Sequence, residues 1–300
     1  MSILDELGSS VSAVATSVGP SIVGVGRHVR GSGVVIADGL ILTNAHNLRG
    51  GEVTLTFADG RTTVGTVSGV NGDGDLAVVS ADTAGAPSIG WALDAGLGVG
   101  SAVFSAAATA NGGVRVTFGL VSAVARAFRG PGGRRIDGSV EHTAPMAPGS
   151  SGSALVDGAG KLVGLNTNRI GEGFYLAIPA DAALKARVDA LGRGESPTRE
   201  RLGVAIAPSH VARRLRRSVG LPDRDGILVR GVEDDSPAAA AGIEAGDLIV
   251  EAGGTAVTDG DDLFTALGSV TPPYEVKLVR GAEERTVTVG APRGRTPGDA

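Results

Sequence analysis

The chain has 300 residues, 42% of them apolar and only 3% aromatic, with a net charge of −5. That length and apolar content support one large domain or two ordinary ones with aliphatic cores, while the acidic balance argues against a general nucleic-acid or anionic-membrane binder. The absence of cysteine excludes disulfides, thiol catalysis and cysteine-ligated zinc.

The N-terminus, Met1-Ser2-Ile3-Leu4-Asp5-Glu6-Leu7, is acidic where a secretory signal is basic, and no apolar run is long enough to span a membrane. Read as it stands, this predicts a cytoplasmic protein; an envelope location would need an export segment upstream. Leu4, Leu7, Val11, Val14 and Val18 recur at helical spacing and predict a helix over 3–18, ended by Gly19-Pro20. From Ser21 to about residue 180 the chain is a series of short β-branched runs. They include Gly33-Val34-Val35-Ile36, Leu40-Ile41-Leu42-Thr43, Val53-Thr54-Leu55-Thr56-Phe57, Ala77-Val78-Val79, Val114-Arg115-Val116-Thr117-Phe118 and Leu162-Val163-Gly164-Leu165. Asp38-Gly39 and Asp59-Gly60 are hairpin signals, and 49 glycines and 14 prolines supply further turns. Many short strands without long helices between them predict an antiparallel barrel or sandwich.

Ala180, Ala183, Leu184, Val188 and Leu191 predict a closing helix, and residues 192–200 read as a polar linker. A second pattern follows. Strands are expected at 202–206, 226–229, 246–250, 276–279 and 286–289. Ser236-Pro237 starts a short helix with a serine cap and proline in its first turn, and a second helix covers 261–267. The basic run Arg213–Arg217 reads as a solvated helix face, and the tail 292–300 as frayed.

Three segments carry chemistry. Gly149-Ser150-Ser151-Gly152-Ser153 holds a serine on a tight glycine turn, where successive backbone N–H groups can converge on an oxyanion. His46 follows the strand Leu40–Thr43, and Asp75 enters the strand Ala77–Val79. Taken singly, each is an ordinary loop, strand-end or turn residue. Together they run in the order His, Asp, Ser, the chymotrypsin-type order rather than that of subtilisin or the α/β-hydrolases.

Further blocks surround these residues. They are Gly31-Ser32-Gly33-Val34-Val35-Ile36 before the histidine, Asp75-Leu76-Ala77-Val78, Gly119-Leu120-Val121-Ser122-Ala123, and Pro148-Gly149-Ser150-Ser151-Gly152. Ala177-Ile178-Pro179 closes the first region; Leu202-Gly203-Val204, Ser236-Pro237-Ala238-Ala239 and Gly246-Asp247 mark the second. In these blocks the chain resembles the HtrA (Deg) family of serine proteases. The resemblance implies a mainly β chain: a chymotrypsin-like double antiparallel β-barrel over 1–191, the linker, and an α+β PDZ domain over 201–291. It implies an ATP-independent serine endopeptidase for unfolded or tagged proteins, needing no cofactor or metal. Ser151 would be the nucleophile rather than Ser150, His46 the general base and then acid, and Asp75 the residue that holds the imidazole. The N–H groups of Gly149 and Ser151 would form the oxyanion hole. Pro145, Met146 and Ala147, opposite Asn166 and Thr167, would form a substrate pocket with no buried carboxylate, suited to small or medium aliphatic side chains. Leu202, Gly203 and Val204 would hold the carboxylate of a peptide C-terminus.

The chain also departs from the family. Ser153-Ala154 replaces Gly-Pro, Asn47 replaces an apolar residue after the histidine, and Ala106-Ala107-Ala108 replaces a Gly-Asn-Pro turn. The family's homotrimer uses aromatics near the N-terminus; none precedes Phe57 here, so a trimer stays open. The arginine-rich segment 126–138 reads either as a solvated loop or, by resemblance, as an activation loop responding to peptide on the PDZ domain. The competing reading of the whole is a catalytically idle protease fold serving as a peptide-binding chaperone or adaptor.

Overall fold

The computed structural model describes residues 2–110, 112–130, 135–196, 201–207 and 209–290. The chain divides into two compact units, Met1–Pro197 and Thr198–Ala300. The first opens with α1 (Ile3–Val18). Ser2 and Asp5 cap each other's backbone at its start. Only the C-terminal half of the predicted stripe is buried. Val14 and Val18 pack inward, whereas Leu4 is 77% exposed, because the helix leaves the body before its first turns find a partner.

Six strands then close into a barrel: β1 (Ile22–Val25), β2 (Gly31–Ala37), β3 (Leu40–Thr43), β4 (Glu52–Phe57), β5 (Thr62–Asn71) and β6 (Leu76–Ser80), ordered β1-β2-β3-β6-β5-β4. A second six-stranded barrel follows: β7 (Ala102–Ala108), β8 (Val114–Arg129), β9 (Arg135–His142), β10 (Ala154–Val156), β11 (Leu162–Ile170) and β12 (Phe174–Pro179), ordered β10-β11-β12-β9-β8-β7. All pairings are antiparallel. Alternation along the strands sorts side chains into layers. Val23, Val25, Val35, Ile41, Leu55, Phe57 and Val79 fill the first barrel. Val103, Val121, Val140, Leu155, Val163 and Ala177 fill the second. Their neighbours Ile22, Val34, Leu42, Val78, Ala154, Leu165 and Ile178 form a third layer, joined by α1 and by α2 (Ala182–Gly192), which Asp181 caps. Strands buried on both faces need no polar alternation, which is why they read as continuous apolar runs.

The arginine-rich segment is strand as far as it is described. β8 and β9 extend beyond the barrel as a hairpin in which Phe128 faces Ile136 and Arg129 faces Arg135; residues 131–134 lie outside the described residues.

The second unit has β13 (Val204–Ala207), α3 (Ser209–Ser218), β14 (Ile227–Val232), α4 (Pro237–Ala240), β15 (Leu248–Ala252), β16 (Thr255–Ala256), α5 (Gly260–Gly268), β17 (Tyr274–Arg280) and β18 (Glu283–Val289). The sheet order is β13-β14-β15-β17-β18, with β16 on β15. Ser236 caps α4 as expected, accepting from the Ala239 N–H at 3.1 Å. The basic run lies on α3. Its Arg213 and Arg217 pair with Asp225 and Asp223, and Arg216 is buried, donating to the carbonyls of Pro222 and Gly281. The fold class is therefore mainly β, a double-barrel domain with an α+β domain after it. Among the described residues no helix is long and apolar enough to cross a membrane.

Candidate active site

β3 and β6 are neighbours in the first barrel, with Thr43 opposite Ala77. His46 lies three residues beyond Thr43 and Asp75 two before Ala77, so the antiparallel register brings them to the same barrel end. A short 3-10 turn, Ala45–Asn47, carries the histidine. Asp75 takes a left-handed backbone, φ +54°, and its carbonyl is held by the Asn44 side chain at 2.9 Å and the Ala45 N–H at 3.2 Å. That aims the carboxylate at the imidazole: His46 Nδ1 is 2.9 Å from Oδ1 and 2.8 Å from Oδ2. The carboxylate also accepts from the His46 N–H at 3.2 Å and from Thr167 Oγ1 at 2.8 Å. Asp75 is 1% exposed, and a buried carboxylate accepting these bonds fixes the imidazole with its Nδ1 proton inward. Among the described residues His46 Nε2 has no partner, so its lone pair is available.

Thr167, on β11, joins this pair to the serine. Its hydroxyl donates to Asp75, and its carbonyl accepts from Ser151 Oγ at 2.5 Å. The serine hydroxyl thus points to Thr167 rather than to His46, one χ1 rotation from an alternative well. Catalytic hydrogen bonds are often incomplete without substrate.

The serine loop is pressed against the first barrel. A Cβ on Gly149 would stand 2.7 Å from the Val29 carbonyl, and one on Gly152 would stand 2.2 Å from the Ser32 carbonyl; both glycines have positive φ, +87° and +83°. Ser32 donates its N–H to the Ser151 carbonyl at 2.7 Å and its hydroxyl to the Gly149 carbonyl at 2.9 Å. With these carbonyls turned toward β2, the N–H groups of Gly149 and Ser151 have no acceptor among the described residues. That is the arrangement an oxyanion hole requires. Ser150 is buried and its N–H closes a turn onto the Ala147 carbonyl at 3.1 Å, so it is not presented beside the histidine.

The expected pocket residues have different fates. Pro145 is exposed, its carbonyl taking the Thr117 hydroxyl at 2.8 Å, and Met146 and Ala147 are half-buried. Asn166 offers no side-chain group to a pocket. It is wholly buried, its Oδ1 2.9 Å from His142 Nε2 and its Nδ2 bonded to Ser105 Oγ (3.0 Å) and Ser153 Oγ (2.9 Å). Its backbone clasps the serine loop: the Gly152 N–H donates to the Asn166 carbonyl at 2.7 Å and the Asn166 N–H to the Ser153 carbonyl at 2.9 Å. Sequence reasoning placed Thr167 only as a pocket wall and missed Ser32, Thr43 and His142. Ser32 and His142 act through contacts remote in sequence, and only the glycines flanking Ser32 hinted at a close approach.

In the second unit, the Leu202 carbonyl accepts from the Ala238 N–H (2.9 Å) and the Gly203 carbonyl from the Glu233 N–H (2.8 Å). The N–H groups of Leu202 and Gly203 have no acceptor among the described residues. Among the described residues β13 pairs only with β14, and none of them pairs with its other edge. A Cβ on Gly260 would stand 3.3 Å from Ile206 Cδ1, so the first turn of α5 meets the side chain of β13.

Two closed six-stranded barrels, a His–Asp pair and a serine loop, followed by a small sheet with an open edge strand, define a chymotrypsin-type serine protease domain joined to a PDZ domain. The comparisons agree. Residues 31–165 match the model of the trypsin-like peptidase domain, and residues 201–290 that of the PDZ domain. A serine protease of Synechocystis sp., HhoA, is 32% identical over 286 residues, covering 89% of this chain and 72% of the relative. A DegP-like periplasmic serine endoprotease of Halomonas elongata is 33% identical, covering 88% of this chain and 56% of the relative. Among solved structures, the serine endoprotease from Yersinia pestis superposes with a TM-score of 0.65 at 27% identity, covering 93% of this chain and 96% of that one. The HtrA-type protease AlgW with decapeptide gives 0.68 at 24% identity, covering 93% and 97%, a likeness of fold. The chain belongs to the HtrA (Deg) family of serine proteases. It spans about half the length of the Halomonas relative.

Proposed function

We propose that this chain is an ATP-independent serine endopeptidase for unfolded polypeptides, with Ser151 as nucleophile. The observation that carries the reading is the His46–Asp75 pair, with Thr167 bonded to Asp75 through its hydroxyl and to Ser151 through its carbonyl, beside N–H groups of Gly149 and Ser151 that have no acceptor among the described residues. In the reaction Ser151 Oγ leaves the Thr167 carbonyl and attacks the scissile carbonyl carbon while His46 Nε2 takes its proton. Asp75 stabilises the resulting imidazolium, and the Gly149 and Ser151 N–H groups hold the oxyanion. Collapse passes the proton from His46 to the leaving amine. Water, activated by the same imidazole, then releases the acyl group.

The pocket side chains near Pro145, Met146 and Ala147 bring no carboxylate, and the Asn166 amide is already satisfied. A Lys or Arg would enter unpaired at high cost, which supports cleavage after small or medium aliphatic residues. The test is to treat the full chain with a fluorophosphonate probe and to map its products from an unfolded protein by mass spectrometry. Labelling at Ser151, lost in Ser151→Ala, and aliphatic cleavage sites are expected. No labelling under any condition returns the idle-adaptor reading, and a majority of cuts after Lys or Arg sinks the pocket assignment.

The open edge of β13 and the Leu202–Val204 turn support capture of a peptide C-terminus as an added strand. A fluorescent peptide ending in a free carboxylate should bind, and its C-terminal amide should bind at least about tenfold more weakly, since the turn's N–H groups lose a charged partner. Equal affinities would remove the carboxylate role from this turn. Relatives described as periplasmic support a cell-envelope location over the cytoplasmic one that the N-terminus suggested, which cell fractionation reads directly.

A further inference from the structure

Asn47 stands beside His46 in the same 3-10 turn, yet its side chain points the other way, into the junction of the two barrels. The residue is 2% exposed. Its Nδ2 donates to Thr43 Oγ1 at 3.0 Å and to the Ser151 carbonyl at 2.9 Å. Thr43 Oγ1 in turn donates to the Ser32 carbonyl at 2.7 Å. With the Ser32 N–H already on the Ser151 carbonyl at 2.7 Å, both lone pairs of that oxygen are filled.

The surrounding backbone is shaped to this amide. A Cβ on Gly31 would lie 2.2 Å from Asn47 Cγ, and one on Gly152 would lie 3.0 Å from Asn47 Nδ2 and 2.6 Å from Thr43 Oγ1. The side chain occupies a slot that two glycines leave open, one from each barrel. A purely space-filling residue in an apolar junction would be aliphatic, because a buried amide costs free energy unless bonded. Here both Nδ2 hydrogens are used, and one of them reaches the nucleophile's own peptide group.

We propose that Asn47 is a positioning residue for acyl transfer. This rests on the protease reading above. Through one turn it ties the general base to the carbonyl of the nucleophile, so that His46 Nε2, Ser151 Oγ and the Ser151 N–H keep a fixed mutual geometry across the barrel junction. Without the amide, Ser32 alone holds the Ser151 carbonyl, and the orientation of the nucleophile's own peptide group rests on one bond instead of two. Small displacements of a nucleophile cost rate far more than they cost binding.

The test compares full-length wild type, Asn47→Asp and Asn47→Ser. Asn47→Asp keeps the shape but faces a carboxylate oxygen to the carbonyl; Asn47→Ser removes the reach with little added strain. The measurements are kcat and KM on an unfolded protein substrate, the fluorophosphonate labelling rate and the urea midpoint. Both variants should lose about tenfold to a hundredfold in kcat, with KM within about threefold and labelling slowed in parallel. If Asn47→Asp fails to fold, Asn47→Ser carries the same expectation. A variant that labels and turns over like wild type, with only its urea midpoint lowered, overturns the proposal and leaves the protease reading standing. A wild type that never labels overturns both.

Discussion

Asp75→Asn is expected to lower kcat by about 10⁴ near neutral pH while leaving the protein folded. The carboxylate accepts from three donors at once, His46 Nδ1, the His46 N–H and Thr167 Oγ1. An asparagine offers one acceptor oxygen and an NH₂ group. Thr167 and the His46 N–H compete for that oxygen, so the NH₂ faces Nδ1. The imidazole then carries its proton on Nε2, where it cannot take the one from Ser151. Geometry survives and the tautomer is wrong, so the loss falls on kcat. Steady-state kinetics on an unfolded substrate, with circular dichroism on the same sample, check this. A fall of less than about tenfold with structure intact would mean that the His46–Asp75 pair does not serve the reaction. Ser151→Ala should remove covalent labelling outright, which separates loss of the nucleophile from loss of its base.

The His–Asp pair was legible because its signals are local to two strands that happen to be neighbours. His46 ends one apolar run and Asp75 begins another, and the β3–β6 register does the rest. The serine loop was legible through its glycines. What could not be read were the groups that join these pieces. Thr167 reaches Asp75 over 92 residues, Ser32 reaches Gly149 over 117, and Asn47 reaches Ser151 over 104. Ser, Thr and Asn are common turn and surface residues, and nothing in their immediate neighbours distinguishes a buried bridge from a solvated loop. Asn47 stood out only as a polar residue in a place where the family is apolar, and its bond to Ser151 supplies the physical reason.

The fold followed the same division. Val34-Val35, Ile41-Leu42 and Val78-Val79 announced strands, but each doublet sends one side chain into the first barrel and the other toward the second. A continuous apolar run does not reveal which face is which. In the second unit the capping chemistry was explicit in the sequence. Ser236 before Pro237 set the start of α4, and α5 begins one residue before the predicted Asp261, with Asp259 as its cap. The helical stripe of α1 was correct in period and half wrong in burial, since periodicity alone does not say how far along a helix its partner extends.

His142 makes the stability of the protease unit depend on pH over a defined window. It is 0% exposed, stacked on Tyr175 at 5.9 Å between ring centroids, and its Nε2 faces Asn166 Oδ1 at 2.9 Å. Because the Asn166 Nδ2 is donated elsewhere, Oδ1 must accept, so the His142 proton sits on Nε2. Nδ1 is buried with no partner, and charging the ring would place an N–H there with no acceptor. Burial therefore lowers its pKa from the ordinary 6.5 to about 4, against the opposing effect of the hydrogen bond it donates to Asn166. The sign follows from which state binds the proton. Below pH 6.5 the unfolded chain takes it up and the folded one does not, so stability is complete above 6.5, falls as pH drops, and levels off below about 4. A shift of that size corresponds to about 3 kcal/mol across the window. Trp91, the single tryptophan, lies in this unit, so urea unfolding followed by its fluorescence reports on it. His142→Gln can keep a donor to Asn166 but cannot charge, and it should flatten the pH dependence between 6.5 and 4. A wild-type unfolding free energy equal at pH 7 and pH 4.5, or an unchanged slope in His142→Gln, would show that this histidine is not the group that titrates. Asn166, the partner of this ring, also holds Gly152 and Ser153 by its backbone, so the group that titrates packs directly behind the serine loop.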